Sequence, residues 1–413
     1  MSPRQCRLLA GIAALFIAAC GPSRLSQQDL SRQLASPDNR LQPDIAIYHT
    51  PDSSLLYFSL RTSELLFVKI EDTVRASLKV RYQLHASFEA AALLDSASLH
   101  FTVYPDSLGD LLKTHMTFRM PQEGKGVIRV FVSDEFRKKE SEWIYEVNRT
   151  PAMLQQQFLL SDSSGIPLVR NFVRPGEFFY ITSQMFGNSS LLVRCYFRTF
   201  NIPAPPFSKT PDPVFSLRQD SLFSYRTGDA LRLESPGIYH FQADTSLKTG
   251  FTVFVFDTWF PEIKSPDQLI EPLRYLTMRK EYEELLKKPD PKVAAEEFWL
   301  KTGGINDRSK ALIRIYYQRV QEANRRFTSY LPGWKTDRGM IYTIFGPPAT
   351  VYRTESLEQW IYSLDSGGSV TFDFKRKGNP FTGNDFSLQR REEFDYPWYQ
   401  SVERWRQGNI SLR

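Results

Sequence analysis

Cysteine, histidine and long apolar runs are scarce in this chain. Its 413 residues hold 3 Cys and 5 His. Only Cys195 lies far from the N-terminus, and one thiol makes neither an internal disulfide nor a cysteine metal site. Cys195 sits in an alternating apolar stretch, 191–200, where a buried strand thiol is expected. The histidines, His49, His85, His100, His115 and His240, are scattered and lack the paired spacing of a zinc helix. There is no Gly-x-Ser-x-Gly elbow, phosphate loop or dinucleotide fingerprint. Glu281, Glu283, Glu284, Glu296 and Glu297 fall in charged helical stretches and read as solvated faces. These absences leave no catalytic motif and no metal or cofactor set. Net charge is only +6, too mild to argue for nucleic acid. Beyond residue 19 no run approaches the roughly 20 apolar residues of a spanning helix.

What is present begins at the N-terminus. Arg4 and Arg7 precede an apolar run, Leu8 to Ala19, of signal-peptide length. It ends Ile17-Ala18-Ala19-Cys20, then Gly21. Charge, apolar run, small residues and Cys in that order resemble a bacterial lipobox. The resemblance implies a signal peptide at 1–19 and diacylglycerol on the Cys20 thiol. Several acyl chains, at about 0.8 kcal/mol per buried methylene, would hold the protein on a bilayer. Cleavage would remove Arg4 and Arg7, taking 52 basic residues to 50 against 46 acidic, or +4. Gly21 in place of Asp fits release to the outer membrane. The absence of an acidic cluster at 21–30 fits the periplasmic face.

Four further segments are expected. Residues 20–43 are polar and Pro-containing and read as a lipidated tether. Residues 44–150 alternate with period two, as in Thr73 to Tyr82, with strands also at 54–60, 65–70, 99–104, 113–120, 126–132 and 143–147. The pattern restarts over 151–257. Both segments are expected to be antiparallel immunoglobulin-like β-sandwiches; abundant aromatics, 31 Phe and 19 Tyr, suit such cores. From 258 to 413 the pattern becomes helix, then sheet. Ser265-Pro266-Asp267 and Asp290-Pro291 read as helix starts. A third helix starts at Asn306 or Asp307, with Leu312, Ile315, Tyr316, Val320, Ala323 and Phe327 on one stripe. Strands are expected after Pro332, beginning with Met340 to Phe345, and an aromatic tail, 396–405, closes the chain.

Residues 333–337 read Gly-Trp-Lys-Thr-Asp, followed by Arg338 and, further on, Gly346-Pro347-Pro348. With Tyr316 to Phe327 upstream and Glu358-Gln359-Trp360-Ile361-Tyr362 downstream, this resembles the signature of the GWxTD-domain proteins of Bacteroidota and neighbouring phyla. The resemblance covers roughly 258–400 and implies no known catalytic activity. The block after the signature is also similar in pattern to a small lipoprotein of the β-barrel assembly machine, a strand ending in Gly-Pro-Pro being part of the match. Two roles suit the signature. As a turn, Gly333 would supply a positive φ, Trp334 would plug the helix–sheet junction, and Thr336 and Asp337 would cap, Asp337 pairing with Arg338 or a helix arginine. As a recognition surface, Trp334, Asp337 and Arg338 would touch a partner.

The expectation is a non-enzymatic, lipid-anchored envelope protein, a scaffold or binding module in an outer-membrane protein complex. The rivals are an enzyme acting on envelope glycan or peptide and a glycan-binding uptake lipoprotein. Replacing Cys20 by Ala should release the protein from membranes and abolish incorporation of a radioactive fatty acid. Label persisting in that variant would contradict acylation at Cys20.

Overall fold

The computed structural model of the chain describes residues 24–36, 41–105, 110–150, 155–210, 215–246, 248–303, 307–364 and 367–410. The expected signal peptide, Cys20 and Gly21 lie outside them. The protein is mainly β-sheet, in several antiparallel sheets, with a C-terminal helical region.

The first unit holds β1 (Asp44–His49), β2 (Ser54–Arg61), β3 (Val68–Ile70), β4 (Thr73–His85), β5 (Leu93–Val103), β6 (Leu111–Phe118), β7 (Lys125–Asp134) and β8 (Lys139–Asn148). One sheet runs β1-β2-β6; the other runs β3-β4-β7-β8, with β5 also on β4. Alternation places Leu56 and Phe58 of β2, Leu78 and Val80 of β4 and Val130 of β7 in one shared core. The period of two located these strands apart from β1 and the first half of β5.

The second unit holds β9 (Leu159–Ser161), β10 (Phe172–Val173), β11 (Phe178–Thr182), β12 (Ser190–Tyr196), β13 (Ser221–Arg226), β14 (Ala230–Arg232), β15 (Gly237–Gln242) and β16 (Phe251–Val255). Its sheets are β10-β16-β15-β12-β13 and β14-β11-β9, sharing a core around Phe179, Val193 and Phe241. The β10–β16 pair is parallel. Every residue of β16 is buried. The second face of the five-stranded sheet, with Tyr196, Ile238 and Phe254, packs against Phe381 and Tyr330 from the C-terminal region.

The C-terminal region contains α1 (Asp267–Ile270), α2 (Arg279–Leu286), α3 (Pro291–Gly303), α4 (Asp307–Phe327), α5 (Asp337–Phe345), β17 (Thr350–Arg353), β18 (Leu357–Ser363), β19 (Ser369–Arg376), β20 (Phe386–Leu388) and α6 (Asp395–Arg406). The strands form one antiparallel sheet, β17-β18-β19-β20. The stripe expected on the third helix is the buried face of α4. Met340 to Phe345 corrects the expectation: it is helix, not strand. Residues 337 to 344 are all buried, so α5 shows no polar face and no helical period. The pattern match to the assembly-machine lipoprotein, which needed a strand there, loses that element. The expected tail, 396–405, is helical and lies within α6.

The expected tether is the second correction. Residues 25–34 form two short 3-10 turns. Leu25, Leu30 and Leu34 are buried in the core of the C-terminal region, together with Phe88, Val127 and Ile144 of the first unit. The segment is bonded on both sides. Ser26 N–H donates to the Phe88 carbonyl, 2.9 Å, and Arg129 Nη1 to Gln28 Oε1, 2.8 Å. Leu30 N–H donates to the Val351 carbonyl, 2.8 Å, and Tyr342 Oη to the Leu34 carbonyl, 3.2 Å. Polar composition leaves such a segment without a core of its own, but three leucines suffice when two other units supply the walls.

Leu30→Ala should therefore destabilise the whole chain by about 2–5 kcal/mol, the range for deleting a buried leucine side chain. Denaturant unfolding measures this. Limited proteolysis should spare residues 25–34; rapid cutting there at native stability would show that the segment is not clamped.

Candidate functional site

The signature is built on close approach. Gly333 follows α4 and opens a 3-10 turn, Gly333–Lys335. A Cβ at Gly333 would lie 1.9 Å from the Ala323 carbonyl oxygen in α4. A Cβ at Gly339 would lie 1.9 Å from the Gly333 carbonyl oxygen. The turn is thus pressed between two helices, and only glycine fits. Gly333 is not among the glycines with positive φ, so its reason is proximity and not handedness.

Each following residue then has a partner inside the protein. Trp334 N–H donates to Asn324 Oδ1 on α4, 3.2 Å, and Tyr275 Oη donates to the Trp334 carbonyl, 2.7 Å. Thr336 is the N-cap of α5: its Oγ1 accepts from Gly339 N–H, 3.0 Å, and donates to the Gly333 carbonyl, 2.7 Å. Asp337 is not the cap. Its carboxylate accepts from Leu388 N–H of β20, 2.7 Å, and from Arg390 Nη2, 2.5 Å. The expected pairing with Arg338 or a helix arginine is therefore replaced by one with Arg390. Arg338 donates to Glu358 Oε2 on β18, 3.0 Å, and to the Asn384 carbonyl, 2.9 Å. Its guanidinium lies 4.2 Å from the Phe386 ring centroid. Burial pushes the Arg338 pKa down to about 10, against the pull of Glu358. Burial alone would raise Glu358, but Arg338 and Arg353 hold it below the usual carboxylate range. The pair is charged on both sides at neutral pH.

Gly333, Trp334, Thr336, Asp337 and Arg338 are all buried, Trp334 to 5% exposure and Arg338 to 3%. The expectation of a recognition surface made by these side chains fails for that reason: a partner has nothing to touch. They connect α4, α5, β18 and β20.

The surface they support lies one layer out. The Tyr275 ring stands edge-on to Trp334, centroids 5.9 Å apart, and edge-on to Trp398 of α6. Tyr275 and Trp398 line the floor of an open groove of about 1090 Å³ between α2 and α6. Its rim carries Met278, 77% exposed, Tyr396, 63%, and Tyr399, 56%. Arg406 ties the helices together, donating to Glu281 Oε2, 2.7 Å, and to the Leu276 carbonyl, 2.9 Å. Glu281 is thus an ion-pair partner and not simply part of a solvated face. Tyr399 also contacts the ring of Phe207 from the loop after β12, centroids 5.2 Å apart. Sequence reading missed this groove because its walls are more than a hundred residues apart; the dense aromatics of 396–405 were the available signal.

Two of the histidines have local hydrogen-bond partners. His49 Nδ1 lies 2.8 Å from Ser54 Oγ and His240 Nδ1 lies 2.8 Å from Thr252 Oγ1. Burial lowers both pKa values to about 4. Cys195 is a buried free thiol on β12, and burial pushes its pKa up to about 11. Among the described residues no group of three or more His, Cys, Asp or Glu could hold a metal ion.

Residues 237–407 match the family model of the GWxTD domain. The match begins at Gly237, at the start of β15, and so takes in the last two strands of the second unit as well as the region expected from 258. Those strands pack on Phe381 of the C-terminal region through their second face, which gives the longer span a physical basis. No curated protein matches the chain.

Trp334→Ala should cost about 3–5 kcal/mol, the range for truncating a buried aromatic. Asp337→Ala should cost a similar 3–5 kcal/mol, because it takes the carboxylate from both the largely buried Arg390 guanidinium and the Leu388 N–H. Chemical denaturation of the two variants checks both values; a cost near 1 kcal/mol for Asp337→Ala would reduce it to a turn residue.

Proposed function

We propose that this chain, which carries a GWxTD domain over residues 237–407, is a lipid-anchored binding module of the cell envelope. In this reading it is a non-enzymatic scaffold in an outer-membrane protein complex, attached through Cys20 and facing the periplasm. The two β units are proposed to be immunoglobulin-like sandwiches; two sheets sharing one core in each unit, antiparallel apart from the β10–β16 pair, support that assignment. The observation that carries the functional reading is the groove between α2 and α6. Exposed Met and Tyr side chains over a firm aromatic floor make an adaptable apolar contact surface, and they are enriched where proteins meet. Charged neighbours Lys280, Glu284, Glu403 and Arg404 form a polar surround. The buried signature holds the floor through the Tyr275–Trp334 bond. The partner is proposed to be another envelope or outer-membrane protein, with no nucleic acid involved.

The two exposed tyrosines also suit a glycan, because aromatic faces cover the apolar faces of sugars. The two readings separate on one double variant. Tyr396→Ala with Tyr399→Ala should leave the melting curve nearly unchanged, since both rings are mainly solvated. It should abolish co-purification of those envelope proteins that the unaltered lipoprotein retains. Unchanged co-purification, with lost retention on envelope polysaccharide, would transfer the groove to the glycan reading.

A further inference from the structure

The longest edge strand among the described sheets is β5, of 11 residues. It pairs with β4 alone, from Leu93 opposite His85 to Val103 opposite Ala76. Its other edge carries no strand among the described residues. Eight of the 11 residues are exposed, including Leu93 and Leu94 at 46% and Leu99 at 42%. Edge strands normally carry Lys, Pro or a bulge that blocks a second chain. Residues 93–103, Leu-Leu-Asp-Ser-Ala-Ser-Leu-His-Phe-Thr-Val, contain no Lys, Arg, Pro or Gly. Their one carboxylate, Asp95, is tied down within its own unit: it accepts from Tyr82 Oη, 2.8 Å, and from Arg119 N–H, 2.7 Å. The strand's one bulge is at Leu94, at its end; Asp95 to Val103 pair with Leu84 to Ala76 without a break.

The strand is also complementary to itself. Antiparallel pairing about Ser98 sets Asp95 against Phe101 and Ala97 against Leu99 of a second copy. On the other face it sets Ser96 against His100. The odd-numbered face, which holds Phe101 at the margin of the first unit's core, is apolar except for Asp95. No like charges face each other in this register, and a twofold axis at Ser98 satisfies both edges at once. A one-residue slip would place polar residues against the apolar face, so the register is specified.

We propose that β5 joins two copies of this chain edge to edge, antiparallel and centred on Ser98. The proposal stands independently of the groove and of the anchor. Direct neighbours across such a pair have Cα atoms about 4.5–5.5 Å apart, within disulfide reach. The full chain carrying Ser98→Cys, extracted in detergent and mildly oxidised, should give a reducible dimer absent from the unaltered protein. Ser96→Cys should not, because its two copies would lie roughly 13 Å apart along the paired strands. Light scattering should find the unaltered protein dimeric and Leu99→Lys monomeric with the same melting curve. Three results would each overturn the proposal: a monomeric unaltered protein, equal cross-linking at 96 and 98, or cross-linking of Ser98→Cys to a different protein alone.

Discussion

The absence of a side chain at Gly333 is the constraint from which the C-terminal region is built. A turn lying this close to the Ala323 carbonyl brings α5 against α4. With β20, α6 and the 25–34 segment on its other sides, α5 is buried all round, so its first turn cannot be satisfied by water. Thr336 answers with its hydroxyl, and Asp337 and Arg338 reach out to the sheet. The two charges are then placed where an apolar residue would leave β20 and β18 without polar partners. Buried ion pairs add little net stability over apolar packing but strongly disfavour any arrangement that separates them. The signature therefore reads as a device for fixing how helices and sheet meet, with Trp334 passing that geometry on to Tyr275 and the groove floor.

The parts legible in the sequence were those with one wet face. Strand β4 alternates, and α4 carries a single apolar stripe, because each lies between core and solvent. Helix α5 was misread because burial on every side erases its period, and Ile341, Thr343 and Ile344 suit a strand equally well. Strand β13 shows no apolar alternation because its residues are mostly exposed at a sheet edge. Gly333 and Trp334 could be named from the motif, but the reason for the glycine could not. A contact between the turn and the preceding helix is tertiary information.

The junction between the first unit and the C-terminal region is polar where the leucines of residues 25–34 end. Glu146 on β8 accepts from Arg353 of β17, 3.1 Å, and from Arg376 of β19, with a 2.7 Å bond to its Nη1. Burial would raise the Glu146 pKa, yet the two arginines hold it below the carboxylate range. Arg326 stacks 4.6 Å from the Trp143 ring centroid and donates to the Gln33 carbonyl. Apolar contacts supply the attraction, and these directed bonds set the relative orientation of the units.

The clamped segment has a mechanical meaning. In the proposed anchored form, five backbone steps separate Cys20 from Leu25, about 18 Å at full extension. Such a leash is shorter than a small domain is wide. Tension on the lipid would be delivered to the seam between the first unit and the GWxTD region, and the protein would tilt on the membrane as a whole. The reach of its groove into the surrounding space would then be set by the dimensions of the body, with little drawn from the slack of a linker.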